Sequence, residues 1–192
     1  MICIILASQS PQRRQLLAGL GIFFNVIPST VRESDIVEHD PIRRAELLAV
    51  MKAREVARRN SKAVVIGCDT LVVSATGELL EKPVDESDAE RMLLLHSGQT
   101  SLVHSGIAVI ADGKEFSAVS TSSVTFKRLS EEEVRWWITS GMWKDRSGGF
   151  QIDGKGQLMI ERIEGDWTSI VGLPVYLLGE LLRKAGRNEV LF

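Results

Sequence analysis

The sequence has few of the features that would tie it to a metal cluster, a membrane or a nucleic acid. Its 192 residues include two cysteines, Cys3 and Cys68. Each lies in an apolar, strand-like run, so buried free thiols in a reducing compartment are expected, and nothing in the chain calls for a disulfide. The three histidines, His39, His96 and His104, stand far apart and match no zinc-ligand spacing. No apolar run approaches the ~18 residues of a membrane span. Residues 1–6 carry no basic region, and Arg13 and Arg14 follow the apolar part, so a signal peptide is not expected. The net charge of −2 lacks the basic excess of a nucleic-acid binder. There is no Gly-Lys-Ser/Thr and hence no Walker loop. Repeats and low-complexity segments are absent as well. A cytoplasmic protein with no membrane and no nucleic-acid partner is expected. A balanced total can still contain a local basic pocket, so a phosphorylated small molecule stays open.

What is present suffices for one substantial core. Hydrophobic residues make up 44% and charged residues 25%; the length allows one or at most two domains, and a single domain over 1–192 is expected. The central stretch is Ala63-Val64-Val65-Ile66-Gly67-Cys68-Asp69-Thr70. A continuous apolar run of this kind suits a strand covered on both faces. Asp69 falls where the strand is expected to end. It either holds a ligand at the mouth of a cleft or starts a turn.

Ahead of it, Ile2 to Leu6 predicts a buried strand. Ser10-Pro11 then reads as an N-cap with proline in the first turn of a helix that Gly21 closes. Strand, hydroxyl-rich loop and helix N-terminus together make an anion site. Arg13 shares the face of Leu16 and Leu17, where a guanidinium wants an anionic partner unless it snorkels to the surface. A strand is expected over Phe23 to Ile27, then a polar loop with Glu33. Pro41 opens a long helix whose apolar stripe of Ala45, Leu48, Ala49, Ala53 and Val56 also carries Lys52. That lysine needs a counter-charge, or its stem crosses the edge of the core with the ammonium in water.

The central strand continues through Leu71-Val72-Val73, Ala75-Thr76-Gly77 makes a turn, and Glu78 to Glu81 returns as a hairpin partner that ends at Lys82-Pro83. Asp85 caps a helix that Gly98 stops; its inner-face His96 reads as a packed or hydrogen-bonded histidine. A long hairpin turns at Asp112-Gly113. Ser130 with Glu133 is a capping box, and Trp136 and Trp137 read as core or interface anchors. A glycine-rich segment over 145–156, a strand over Leu158 to Ile163 and a final helix after Pro174 complete the chain. Ser8, Ser10, Arg13, Lys52 and Lys82 would surround the Asp69 carboxylate with hydroxyls and cations. Such a set suits a polyphosphate, with a divalent ion or an activated water at the acid.

The motifs Leu6-Ala7-Ser8-Gln9-Ser10-Pro11 with Arg13, Leu16 and Leu17; Leu48-Ala49 with Lys52-Ala53; Gly67-Cys68-Asp69-Thr70; Glu81-Lys82-Pro83; Ser97-Gly98; and Val171-Gly172-Leu173-Pro174 occur here in that order. In this the chain resembles the Maf proteins, house-cleaning nucleoside triphosphate pyrophosphatases, from its first strand to its last helix. The resemblance implies an elongated α/β fold: a mixed, twisted sheet flanked by helices, with two lobes around a deep cleft, as in ITP pyrophosphatases. It implies hydrolysis of a nucleoside triphosphate between the α- and β-phosphates, giving the monophosphate and pyrophosphate with the help of Mg²⁺ or Mn²⁺. Asp69 matches the family's proton acceptor. Ser8, Ser10, Arg13, Lys52 and Lys82 match its phosphate-binding set, and Asp69 and Glu33 its metal-binding acids. Whether Asp69 acts as base or as metal ligand stays open here, and a homodimer is implied only by the resemblance.

Three positions correspond to the family's substrate selectors: Gln12, Thr70 and Asp153. Thr70 agrees with the dTTP/UTP branch. Asp153 is nearer the glutamate of the 7-methyl-GTP branch, since a carboxylate only accepts where a glutamine both donates and accepts. Gln12 fits neither. A pyrimidine preference is expected, with 7-methyl-GTP as the alternative. A non-catalytic nucleotide-binding regulator of cell division is the competing class.

Overall fold

The computed structural model describes residues 2–191; Met1, where the first apolar run begins, and Phe192, at the end of the tail, lie outside the described residues. The chain forms two compact units. The first contains the residues up to Asp69, Ser105–Ser120 and those from Gly172 on. The second contains Thr70–His104 and Thr121–Val171. The strands hydrogen-bond in the order β2-β1-β3-β5-β6-β7, with β4 on β3 outside that path. Here β1 is Ile4–Leu6, β2 Asn25–Val26, β3 Val64–Val73, β4 Leu79–Leu80, β5 Thr100–Ala111, β6 Lys114–Phe126 and β7 Ile160–Glu164. The sheet is mixed: β1 runs parallel to β2 and β3, while β4 and β7 are antiparallel to β3 and β6. With its flanking helices this is the α/β class expected.

In the first unit, strand alternation divides the core. Val64, Ile66 and Cys68 of β3 pack with Leu17 of α1 (Pro11–Gly19) and with Leu178, Leu181 and Leu182 of α6 (Val175–Lys184). Val65 faces the other way, with Ala49, Val50, Ala53 and Val56 of α2 (Pro41–Ala57). Both faces of the strand are therefore covered, which is why its sequence is a continuous apolar run. Helix α2 lies unusually close to the sheet because two strand positions lack a side chain. A Cβ on Gly67 would stand 2.3 Å from the Ala49 carbonyl oxygen, and one on Gly106 2.1 Å from that of Ala45. The β5–β6 connection is Asp112-Gly113 with φ of 50° and 73°, the left-handed pair that a tight hairpin turn requires.

The second unit is built around the fully buried Trp137, Phe126, Leu80 and Leu93. Its α3 (Glu86–His96) starts at Asp85, whose side chain accepts from the Asp88 N–H at 2.8 Å. The start of α4 (Glu131–Ser140) has the reciprocal capping box of Ser130 and Glu133. Trp137 is a core residue, whereas Trp136 is partly exposed.

Several sequence expectations are corrected. The central strand runs to Val73 as its sequence predicts, which places Asp69 inside it rather than at its end. Cys3 is exposed, one residue ahead of β1, and only Cys68 is buried. The strand expected over Phe23 to Ile27 is reduced to Asn25–Val26. The last strand starts at Ile160, since Gly154–Met159 winds into 3-10 turns. A short helix, α5 (Trp167–Val171), follows Asp166, whose side chain accepts from the Thr168 N–H at 2.8 Å.

Candidate active site

Asp69 lies two residues beyond Gly67 on β3, so both face α2. On α2, Ala49, Lys52, Ala53 and Val56 share one face by their three- and four-residue spacing. The glycine gap that draws α2 onto β3 therefore delivers Lys52 to Asp69. Its Nζ lies 2.5 Å from Asp69 Oδ1 and 2.6 Å from Glu33 Oε1. Glu33 is carried on a 3-10 turn, Glu33–Asp35, and its side chain is half exposed. Lys52 and Asp69 are both buried. An ion pair at this depth is a poor source of net stability, because desolvating two charges offsets most of their attraction. Its geometry is nonetheless specific: one carboxylate oxygen is held by the ammonium, while the buried Asp69 Oδ2 has no hydrogen-bond partner among the described residues.

The second cluster forms where β1 meets α1. The Ala7 N–H donates to the Ile66 carbonyl at 2.8 Å, after which β1 leaves β3. Asp69 thus lies past the end of its neighbour on that side. Ser8 is buried, and its Oγ accepts from the Ser10 N–H at 3.2 Å and from Arg13 Nη1 at 3.2 Å. Ser10 caps α1, its Oγ accepting from the Arg13 N–H and donating to Gln12 Oε1 at 3.2 Å. Arg13 Nε donates to the Gly172 carbonyl at 2.8 Å. A guanidinium fixed at two of its nitrogens beside a helix N-terminus is a pre-organised anion site. The two clusters are within electrostatic reach of the same thiol. Burial pushes Cys68 up to about 11, Arg13 and Lys52 pull it down, and Asp69 raises it.

The remaining predicted residues belong to the second unit. Lys82 is exposed and follows β4. Thr70 accepts at its carbonyl from Ser147 Oγ at 3.3 Å. Asp153 precedes the 3-10 turns and makes no cap hydrogen bond. Two surface cavities, of about 320 and 410 Å³, contain none of the predicted site residues. The first unit thus gathers Ser8, Ser10, Arg13, Glu33, Lys52 and Asp69.

Sequence reasoning missed the anchor of Arg13. The Val171-Gly172-Leu173-Pro174 motif is legible in the sequence, but nothing in its spacing shows that the Gly172 carbonyl holds a guanidinium 159 residues away. The role of Gly67 and Gly106 was also missed. The available signal was a glycine inside a strand, which often marks a close backbone approach.

The donor set suits a hard divalent cation. Asp69 and Glu33 offer carboxylate oxygens, Asp69 Oδ2 is buried and orphaned, and no group of three or more His, Cys, Asp or Glu that could hold a metal occurs among the described residues. Two carboxylates supplemented by substrate phosphates and water are the usual surroundings of Mg²⁺.

A sequence model of the family described as "Maf-like protein" matches residues 3–185. The chain is 46% identical over 183 residues to a protein of Deinococcus radiodurans named dTTP/UTP pyrophosphatase, covering 95% of this chain and 93% of that one. It is 41% identical to a Moorella thermoacetica protein of the same name, covering 93% of each. Among solved structures, a HAM1 protein from Coxiella burnetii aligns over 67% of this chain and 75% of its own, at 16% identity and a TM-score of 0.46.

Proposed function

This chain belongs to the Maf-like family, and from that premise we propose that it is a pyrophosphatase of the pyrimidine nucleoside triphosphates dTTP and UTP. It cleaves the bond between the α-phosphorus and the bridging oxygen, releasing the monophosphate and pyrophosphate. The observation that carries the reading is the Lys52 ammonium between Glu33 and Asp69, with Asp69 Oδ2 left open. Relatives named for dTTP and UTP, together with Thr70, support the pyrimidine preference.

Asp69 takes the proton of the attacking water on Oδ2, while Lys52 holds Oδ1. Arg13, with Ser8 and Ser10 behind it, binds the phosphates and stabilises the charge that grows on the leaving pyrophosphate. Lys82, on the second unit, is assigned a phosphate-binding role by the Glu81-Lys82-Pro83 motif. Asp69 and Glu33 would hold Mg²⁺ or Mn²⁺. When bound, the cation neutralises phosphate oxygens and acidifies water.

Pyrophosphate release from dTTP, UTP, CTP and 7-methyl-GTP tests the reading. The expected result is turnover fastest with dTTP and UTP, and ¹⁸O from labelled water in the monophosphate. Tight binding without turnover would replace the enzyme with a nucleotide-binding regulator. Fastest turnover of 7-methyl-GTP would make Asp153, an acceptor for ring N–H groups, the dominant selector.

A further inference from the structure

The second unit contains a buried histidine that the proposed chemistry does not use. His96, at the end of α3, is fully buried. Its ring stacks on Phe126 with centroids 4.5 Å apart and meets Phe150 edge-on at 5.2 Å. Nε2 lies 2.9 Å from the Gly148 carbonyl oxygen, and Nδ1 2.7 Å from Ser101 Oγ. A carbonyl only accepts, so Nε2 carries the hydrogen, and the neutral ring accepts the Ser101 hydroxyl proton at Nδ1. One tautomer is thereby selected. Burial supports the neutral ring, lowering the histidine from 6.5 to about 4 against the raising effect of the Gly148 bond.

The partner of that ring is a turn that bonds the Glu81 carbonyl on one side of Lys82 and packs against the Pro83 ring on the other. Gly148 and Gly149 have φ of 74° and 67°. The Gly148 N–H donates to the Glu81 carbonyl at 3.0 Å. A Cβ on Gly149 would lie 3.2 Å from Pro83 Cγ, so glycine lets the turn close onto the proline ring. The turn is fixed from behind by His96 Nε2 on the Gly148 carbonyl and by Trp137 Nε1 on the Gly149 carbonyl at 2.8 Å. Without them, two buried carbonyls would lose their donors, and the flanks of Lys82 would rest on an unsupported glycine pair. A surface lysine gains no orientation from its own contacts; here the backbone beneath it is fixed.

We propose that His96 is a positioning residue for Lys82, acting through the Gly148-Gly149 turn with its tautomer set by Ser101. The proposal rests on the reading of Lys82 as a phosphate ligand, and it adds the element that orients it.

The test is a kinetic cycle with UTP, measuring pyrophosphate release from wild type, His96→Leu, His96→Gln and Ser101→Ala, each with and without Lys82→Met. Leucine fills the space without donating; the glutamine amide can still reach the Gly148 carbonyl. His96→Leu is expected to lower kcat/KM by about tenfold, as a displaced substrate-positioning group does. His96→Gln should recover most of that loss, and Ser101→Ala should cost less than His96→Leu. In the Lys82→Met background all three should cost less than twofold. A loss from His96→Leu that is equal in both backgrounds would make the histidine a general core residue and overturn the proposal. A Lys82→Met variant as active as wild type would instead overturn the phosphate role of Lys82. Positioning is then decided by NMR: His96→Leu should shift the Lys82 and Gly148 amides while Gln retains them, and unmoved amides would refute it. Should His96→Leu fail to fold, Ser101→Ala carries the same comparison with the ring in place.

Discussion

Ala49 and Gly67 meet backbone to backbone: a Cβ on Gly67 would stand 2.3 Å from the Ala49 carbonyl oxygen and 2.8 Å from the Ala53 nitrogen. Neither group can yield without moving the helix that carries Lys52. Gly67→Ala is therefore expected to lift α2 from β3, cost about 1–3 kcal/mol by overpacking and separate Lys52 from Asp69. Urea denaturation alongside pyrophosphate release checks this, since both should fall together.

Lys52 and Asp69 are a buried pair, so removing the lysine leaves Asp69 without its counter-charge, whereas Lys52 would still keep Glu33. Lys52→Met should destabilise the fold by about 3–5 kcal/mol. Adding Asp69→Asn should recover much of that loss, because the stranded charge goes with it. Thermal unfolding of the two single variants and the double variant measures the coupling. Additive losses would mean the pair is not formed in solution.

Arg13 uses its fork in two directions, Nε to the Gly172 carbonyl and Nη1 to Ser8 Oγ. Arg13→Lys keeps the charge but cannot make both bonds. A fall in kcat/KM with UTP on the order of 10–100-fold is expected, against 10²–10³ for loss of a whole stabilising group. Steady-state kinetics distinguish the two.

His96 gives the fold a pH dependence of known sign. Burial lowers its folded value to about 4, below the 6.5 of the unfolded chain. Between those values the unfolded state binds more protons, so stability rises with pH. This contribution is complete above about pH 6.5 and is lost as pH falls towards 4, amounting to about 3 kcal/mol. Urea midpoints from pH 4 to 7 should show the slope in wild type and a shallower one in His96→Leu.

The two thiols should differ. Cys3 is exposed, whereas Cys68 is buried and pushed up to about 11 by that burial. At pH 8 a thiol reagent is expected to titrate Cys3 quickly in the folded protein and Cys68 only after unfolding. Mass spectrometry of the alkylated chain reads the order directly.

Much of the fold could be read from local chemistry. Ser10-Pro11, Asp85 with Asp88, Ser130 with Glu133 and Asp112-Gly113 each form the cap or turn their residues announced. The site was partly legible for the same reason: Lys52 on an apolar stripe called for either a counter-charge or a stem reaching water, and Asp69 and Glu33 supply the counter-charge. What remained hidden depends on contacts between distant segments. Gly172 offers Arg13 a backbone carbonyl, which no side-chain pattern reveals. His96 read correctly as a hydrogen-bonded core residue, but its partner is a carbonyl 52 positions away.

The most direct test of the central claim is pyrophosphate release from UTP by Asp69→Asn, paired with the UTP dissociation constant. Asparagine retains the shape of the side chain and loses the basic Oδ2. Turnover is predicted to fall by at least 10²-fold, with binding changed only a few-fold. Turnover within tenfold of wild type would contradict the assignment of Asp69 as the proton acceptor.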